Sequence, residues 1–337
     1  DFDSISAQAA QARQANQLDL AVRLYRQAVQ IRPEWAEGWW YLGTIAFDRE
    51  QYADAAAAFT KVTLRAPKDA NSFAMLGLSE IKLHRTQDAL THLTKSLQLG
   101  VGDESNMRQV VLFNQATLLL DSGKFGAAQS ILDQLAQQSK NLSDDFLLTL
   151  GRSVLGIASP EAAAVLHDAV ISAGRAEVLA ANRDTQPALA AYAALVRQFP
   201  KLHNVEFAYG RFLLDNHLDN QAIAAFKREI ENTPHHLLAR LGIAGALLTA
   251  DPSSGLPYAE QAAKLAPNME EAHYLLGAAL LATDAPARAV TELETARSLN
   301  THDPRVYFEL AKAYKRLHRD SDAAQARSKF TQLSPAQ

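Results

Sequence analysis

The sequence predicts an all-α protein built as a stack of about ten antiparallel helix pairs. Three observations predict it. A 34-residue interval separates Pro33 from Pro67, Pro200 from Pro234, Gly43 from Gly77 and Gly277 from Ala311. The same interval spaces Ala21, Ala55 and Ala89, the bulky Tyr25, Phe59 and Leu93, and Ala289 with Ala323. A fixed period of this size marks stacked repeats, each burying its face against its neighbours rather than in one central core. Next, the 337 residues include only 15 glycines and 12 prolines but are 48% hydrophobic, which favours helix over turn-rich β structure. Finally, the apolar residues inside a period fall at helical spacing.

The period at 36–69 is the clearest. Its first helix is predicted from Glu37 to Phe47 and its second from Tyr52 to Val62, with Asp48-Arg49-Glu50-Gln51 as the turn. The period closes at Ala66-Pro67, because proline cannot continue a helix. Two helices joined by so short a turn must lie antiparallel. Gly43 and Ala55 let them approach closely, and Trp39, Leu42 and Phe59 fill the space around that contact.

Trp39, Leu42, Gly43, Ala55, Phe59 and Pro67 fall where the tetratricopeptide repeat family places its consensus residues, and the chain resembles that family. Tyr209, Gly210, Ala222, Phe226 and Pro234 repeat the match, as do Tyr307, Leu310, Ala311, Tyr314, Ala323, Phe330 and Pro335. The resemblance implies a right-handed superhelical solenoid over the whole of 1–337. It is also a type of module common in bacteria.

Laid along the chain, the frame starts periods near Phe2, Ala36, Ala70, Gln109, Asp144, Ala169, His203, His235, Glu270 and Pro304. The stretches 2–103 and 169–337 keep it well, and the middle, 104–168, does not. Gly100 to Ser105 inserts an extra loop. The fifth period is cut short, so a joint is expected near 158–176, with a second helix around Pro160 to Val170 that is short or runs on into the next. The eighth period is also irregular. Its inner turn is read as Asp251 to Gly255, with Pro257 in the first turn of the following helix.

Composition and motifs exclude several functions. The net charge is −4, which argues against the basic footprint that nucleic-acid binding normally needs. No cysteine is present, so disulfides, cysteine-ligated zinc and cysteine nucleophiles are excluded. No apolar run is long enough to span a membrane. The chain begins with Asp1, so it is read as a processed or trimmed piece, and both a cytoplasmic and a periplasmic location stay open. His235-His236 has no zinc-type spacing, and His84 and His92 read as surface residues. Gly151 to Gly156 lacks the strand and the last glycine of a nucleophile elbow. Ser122-Gly123-Lys124 reads as a turn, and Ser143 with Asp144 as a helix N-cap. No enzyme activity, metal or cofactor is expected.

The resemblance implies a concave groove that binds a peptide or helix, lined by the second, fifth, ninth, twelfth and thirteenth places of each period. The fifth place reads Ser6, Trp40, Ala74, Phe113, Leu148, Ala173, Phe207, Ala239, Tyr274 and Phe308. Five of these ten are aromatic, and an exposed apolar stripe marks a contact surface. The candidate partner-binding residues are Glu37, Trp40, Thr44, Phe47, Asp48, Phe113, Asn204, Phe207, Arg211, Tyr274, Phe308, Lys312 and Arg316. The competing reading has the rings packed against neighbouring helices. Arg305, Lys312, Lys315, Arg316 and Arg319 form a basic face on the last period, either a solubilising surface or an anchor for an acidic partner. The lysine–asparagine clamp of some family members is absent, because no fifth place holds lysine. The expected function is a non-catalytic interaction scaffold with a protein partner. The alternatives are a targeting or regulatory arm of a larger enzyme, secretion, outer-membrane or polysaccharide-export assembly, and a glycan or small-ligand groove at Trp40 and Phe47.

Overall fold

The computed structural model describes residues 1–102, 106–139 and 141–334. Asp103, Glu104 and Ser105 of the predicted extra loop, and Pro335 of the last period, lie outside the described residues. Among the described residues there are twenty helices and no strand. They fall into two compact units, Asp1–Val165 and Leu166–Gln337, and the boundary lies inside the predicted joint.

The first unit holds α1 (Phe2–Gln14), α2 (Leu18–Ile31), α3 (Ala36–Asp48), α4 (Tyr52–Arg65), α5 (Ala70–Lys82), α6 (Thr86–Gln98), α7 (Met107–Asp121), α8 (Phe125–Gln138), α9 (Asp144–Leu155) and the short α10 (Pro160–Val165). The second holds α11 (His167–Ala181), α12 (Thr185–Gln198), α13 (Val205–Asp215), α14 (Asp219–Asn232), α15 (Leu237–Leu247), α16 (Pro252–Leu265), α17 (Glu270–Ala282), α18 (Pro286–Leu299), α19 (Pro304–Arg316) and α20 (Asp320–Leu333). From α1 to α9, and again from α11 to α20, each helix packs on the next, as in a solenoid of helix pairs.

The period has a physical cause in each pair. An ideal Cβ added to Gly43 would lie 2.7 Å from the Phe59 ring, and one added to Gly77 would lie 2.8 Å from Leu93. Phe226 is held the same way from two sides, by Gly210 of its own pair and Gly242 of the next, each at 2.7 Å. Tyr25, Phe59, Leu93 and Leu293 are fully buried, and each such side chain contributes about 2–3 kcal/mol of hydrophobic stabilisation. The small residue in the first helix therefore makes room for the large one in the second.

The turns repeat as closely as the core. In eight of the ten pairs the helices are joined by three residues, and the middle one has positive φ: Asn16 (56°), Glu50 (59°), His84 (57°), Gly123 (73°), Arg183 (62°), His217 (58°), Asp284 (62°) and His318 (57°). The residue after it closes a six-to-one bond to the helix, for example Gln51 N to Ala46 O at 2.8 Å and Ala285 N to Leu280 O at 2.8 Å. This is a Schellman-type stop, which fixes where the second helix departs. The junctions between pairs use a second device. The fourth residue of a first helix donates to a carbonyl six residues upstream: Trp39 Nε1 to Pro33 O (2.9 Å), Arg240 Nη2 to Pro234 O (2.6 Å), His273 Nε2 to Pro267 O (3.0 Å) and Tyr307 OH to Thr301 O (3.0 Å). Four different side chains thus bond the same junction carbonyl, and Pro33 O also accepts from Arg65 Nε at 2.6 Å.

The two irregular periods show how the frame breaks. In the fifth, Gly156 (φ 66°) stops α9, but the chain does not turn directly into a second helix. The buried Arg152 reaches past the stop instead. Its Nη2 donates to Asp121 Oδ1 at 2.7 Å and to Ala158 O, and its Nε donates to Ile157 O at 3.3 Å. α10 then runs for only six residues, and Leu166, with non-helical φ −102°, separates it from α11. In the eighth, Asp251 caps α16 by accepting from Ser254 N at 3.2 Å, and Pro252 takes the first position. The helix therefore starts inside the predicted turn, and Pro252 to Gly255 form its first four positions. Pro257 lies inside it rather than in its first turn, because the cap and the first-position proline already specify the start. Ser143 is a cap as expected, accepting from Phe146 N at 3.2 Å.

Candidate binding face

The fifth-place aromatics occupy a consistent middle ground. In the first unit Trp40 on α3 and Phe113 on α7 are half-buried; in the second, Phe207 on α13 and Tyr274 on α17 are half-buried and Phe308 on α19 is 47% exposed. The small fifth-place residues Ala74, Ala173 and Ala239 are fully buried. The large rings thus reach outward from positions whose backbone is in the core.

In the first unit, Trp40 leans on Phe59 with ring centroids 5.4 Å apart, and Phe47 meets Tyr52 edge-on at 5.5 Å. Trp39 is tied down by its bond to Pro33 O and packs on a different cluster, beside Leu42 and Ile45. Glu37 and Asp48 are exposed at the two ends of α3, and Thr44 Oγ1 is turned back to Tyr41 O at 3.1 Å. Further along, Phe113 stacks on Phe146 at 6.0 Å and lines a cleft of about 350 Å³ with Asn114, Leu135 and Ser143. Phe146 was not a candidate from sequence. The frame puts Leu148 at the fifth place of α9, and Phe146 joins the cleft because it packs across to α7.

In the second unit Phe207 sits between Phe226 and His236, with centroids 5.8 and 4.8 Å away. Arg211, half-buried, faces Glu177 at 3.7 Å. Tyr274 lies under the Arg305 guanidinium, 4.5 Å from its ring centre, and burial pushes its hydroxyl pKa up. Lys312 stands over Phe308 at 5.2 Å. Arg316 donates to Leu281 O near the end of α17 at 2.7 Å and pairs with Asp284 at 3.4 Å, so part of its role is to neutralise that helix terminus.

Asn204 departs from its expected place. It precedes α13 with φ 68° rather than lying on the helix face. Its side chain is committed, because Oδ1 accepts from His236 Nε2 at 2.7 Å. The cause is the fully buried Glu229, which accepts from Asn204 N at 3.0 Å, Phe207 N at 3.3 Å and Thr233 Oγ1 at 3.1 Å and so caps α13 from α14.

His203, Glu229 and His236 form the group of possible metal ligands among the described residues, with ligand atoms within 4.8 Å of one another. The donor set does not suit an ion. His236 Nδ1 accepts from Ala239 N at 3.1 Å, so Nε2 carries the hydrogen it gives to Asn204. Burial, then His203 and Arg240, lower the His236 pKa to about 4, which keeps the ring neutral in this capping role. His92 also differs from the surface reading, since its Nδ1 lies 2.7 Å from Oε2 of Glu80, whose carboxyl is buried and raised in pKa by that burial.

The basic face divides in two. Lys312, Lys315 and Arg316 line a cleft of about 510 Å³ with Phe308, Arg327 and Phe330. Arg319 instead lies over Tyr314 at 4.4 Å, pairs with Asp322 at 2.7 Å and belongs to a separate polar cleft. Arg305 pairs with Glu271 and Asp303, both at 2.7 Å.

A sequence model of the tetratricopeptide repeat family matches residues 7–71 and 249–304. Those two stretches are tetratricopeptide repeats. Similar solved structures include MamA, residues 41 to the end, from Desulfovibrio magneticus RS-1, at 19% identity and TM-score 0.46, covering 49% of this chain and 94% of that one. YrrB, described as a tetratricopeptide repeat protein with an unusual peptide-binding site, is 16% identical with TM-score 0.45, over 52% of this chain and 93% of its own. The P58(IPK) tetratricopeptide repeat domain is 15% identical with TM-score 0.33, over 94% and 98%. No curated protein matches the chain. Tetratricopeptide repeats are in general protein–protein interaction scaffolds. No helix among the described residues is long and apolar enough to cross a membrane.

Proposed function

We propose that this protein is a non-catalytic scaffold that holds a protein segment against its first helices. One observation carries the reading: the large fifth-place aromatics are half-exposed where the small fifth-place residues are buried. Half-exposed rings on rigid helices lose little side-chain freedom on binding and are the usual anchors of an interface. Trp40 and Phe47 would serve the first unit, and Phe207, Tyr274 and Phe308 the second. The Trp40 ring, leaning on Phe59, is already oriented before a partner arrives.

The test is selection of binders from a displayed random-peptide library with the whole chain, followed by affinity measurement on Trp40→Ala and Phe207→Ala variants shown to be folded by circular dichroism. The expected result is selected peptides whose affinity falls about tenfold or more in at least one variant. Selected peptides that bind both folded variants with unchanged affinity would sink the proposal.

A further inference from the structure

The last helix pair departs from the others at the two positions that normally build the next junction. At the 24th residue of the period, Tyr25, Phe59, Leu93, Tyr192, Phe226 and Leu293 are all buried, and the last pair has Arg327. Three residues on, Ala28, Val62, Ser96, Leu195 and Ala296 are buried small or aliphatic residues, and Glu229 is a buried carboxylate. The last pair has Phe330 there, half-buried and 5.4 Å from the 47% exposed ring of Phe308. In the last pair the large residue has moved three places on, and a charged one stands where it normally lies.

The charge changes as well. Pro304–Leu333 contains seven Lys/Arg and three Asp/Glu in a chain whose net charge is −4. Around the two phenylalanines stand Lys312, Lys315, Arg316 and Arg327. Three of these have carboxylate partners: Lys312 with Glu309 at 2.9 Å, Lys315 with Asp320 at 2.8 Å, and Arg316 with Asp284 at 3.4 Å. The three cations are 46–62% exposed, and pairs so wet hold the cations only weakly. Arg327 has no ion-pair partner among the described residues. An apolar floor inside a cationic rim excludes a basic or purely polar occupant and favours one with apolar groups on one side and carboxylates on the other.

We propose that the cleft between α19 and α20 docks an acidic amphipathic segment of a partner protein. Its apolar side chains cover Phe308 and Phe330, and its carboxylates meet Lys312, Lys315, Arg316 and Arg327. The proposal deepens the scaffold reading at its last pair and rests on it for the role of Phe308. Arg327 and Phe330 are new to the site.

The test is fluorescence anisotropy with a labelled peptide of about 15 residues, glutamate-rich with leucines at helical spacing. Two controls replace the glutamates by lysine or the leucines by serine. The expected result is binding of the first peptide only, weakened at least tenfold by Phe308→Ala and by Arg327→Glu, and weakened by raising salt from about 0.05 to 0.5 M. Lys329→Glu, on the opposite cleft of the same helix, should leave binding unchanged. Both Phe308 and Arg327 are exposed, so the variants should fold, and circular dichroism checks this. Equal binding of the three peptides, or full binding by the Phe308→Ala and Arg327→Glu variants, would overturn the proposal. So would a concentration-dependent dimer, seen by sedimentation and lost in Phe308→Ala, which would make the occupant a second copy. If library-selected peptides still depend on Trp40 or Phe207, such a failure leaves the scaffold reading standing.

Discussion

The pair α3–α4 and the pair α9–α10 begin from the same helix stop and continue differently. Both must stop a first helix. In α3–α4 the backbone does this alone: Glu50 adopts positive φ, Gln51 N bonds to Ala46 O, and α4 runs for fourteen residues against α3. In α9–α10 the same backbone stop is made, with Gly156 at φ 66° and Ile157 N bonded to Arg152 O at 2.9 Å, but the Arg152 side chain then holds the carbonyls of Ile157 and Ala158 and the helix that follows has only six residues. A local turn with a backbone bond can be repeated at any point in a chain. A buried arginine serves one place, and there the period ends.

The sharpest way to break this comparison is Arg152→Ala. It removes a buried charge and strands Ile157 O and Ala158 O, which should cost the first unit about 3 kcal/mol. Hydrogen exchange should show lost protection over α9 and α10 while α1 to α6 keep theirs. A loss below about 1 kcal/mol would mean the clamp is not what ends the period. Next in size, Gly43→Ala drives a methyl group into the Phe59 ring and should cost about 1–3 kcal/mol by overpacking. Gly126→Ala, where an added Cβ meets nothing within 4 Å, should instead stabilise α8 by about 0.5–1 kcal/mol. Denaturant midpoints for the two variants should move in opposite directions.

A smaller gain is expected at the turn. Glu50→Gly relieves the left-handed strain of a non-glycine residue and should add about 0.5–1 kcal/mol in thermal or urea unfolding. Leu248→Gly, at the irregular stop of α15 where φ is −55°, should destabilise by a similar amount.

The weakest effect is a slope with pH at the junction of α17 and α19. Burial, then the neighbouring Asp303, raises the Glu270 pKa to about 7, and when protonated Glu270 donates to Asp303. Folded Glu270 binds its proton more tightly than the unfolded chain does, so ionising it opposes folding. This contribution is neutral below about pH 4.5 and turns unfavourable as pH rises through about 7. The melting temperature of the second unit should therefore decline between those values, and Glu270→Gln should flatten the decline. An unchanged slope in Glu270→Gln would place the titration elsewhere.

Much of the fold was legible. The 34-residue interval located eight pairs, because a glycine facing a large ring and a three-residue turn impose the same spacing wherever they recur. The joint near 158–176 was legible too, as a shortage of residues. Its mechanism was not, since Arg152 looks like any helical arginine until its reach to Asp121, Ile157 and Ala158 is seen. The start of α16 was misread because Pro257 was taken as the boundary, although Asp251-Pro252 already carried the stronger signal. The candidate face was legible at Trp40, Phe113, Phe207, Tyr274 and Phe308, which share one place in the frame. Asn204 shares a frame position as well, yet Glu229 and His236 draw it out of the helix. Phe146 and Phe330 were not read as site residues, because they enter their clefts from other places in the period.

The sequence by itself determined the helix pairs, their spacing and the turns between them. These depend on local backbone geometry and on residue volumes that recur at fixed intervals. Only the tertiary structure decided which aromatic rings face outward, which buried carboxylates and histidines cap helices, and where apolar and cationic groups meet in one cleft. Those outcomes depend on contacts between residues roughly twenty to thirty-five apart, such as Glu229 with Asn204 and Arg316 with Leu281. Each contact is made by residue types that would suit a solvated helix equally well.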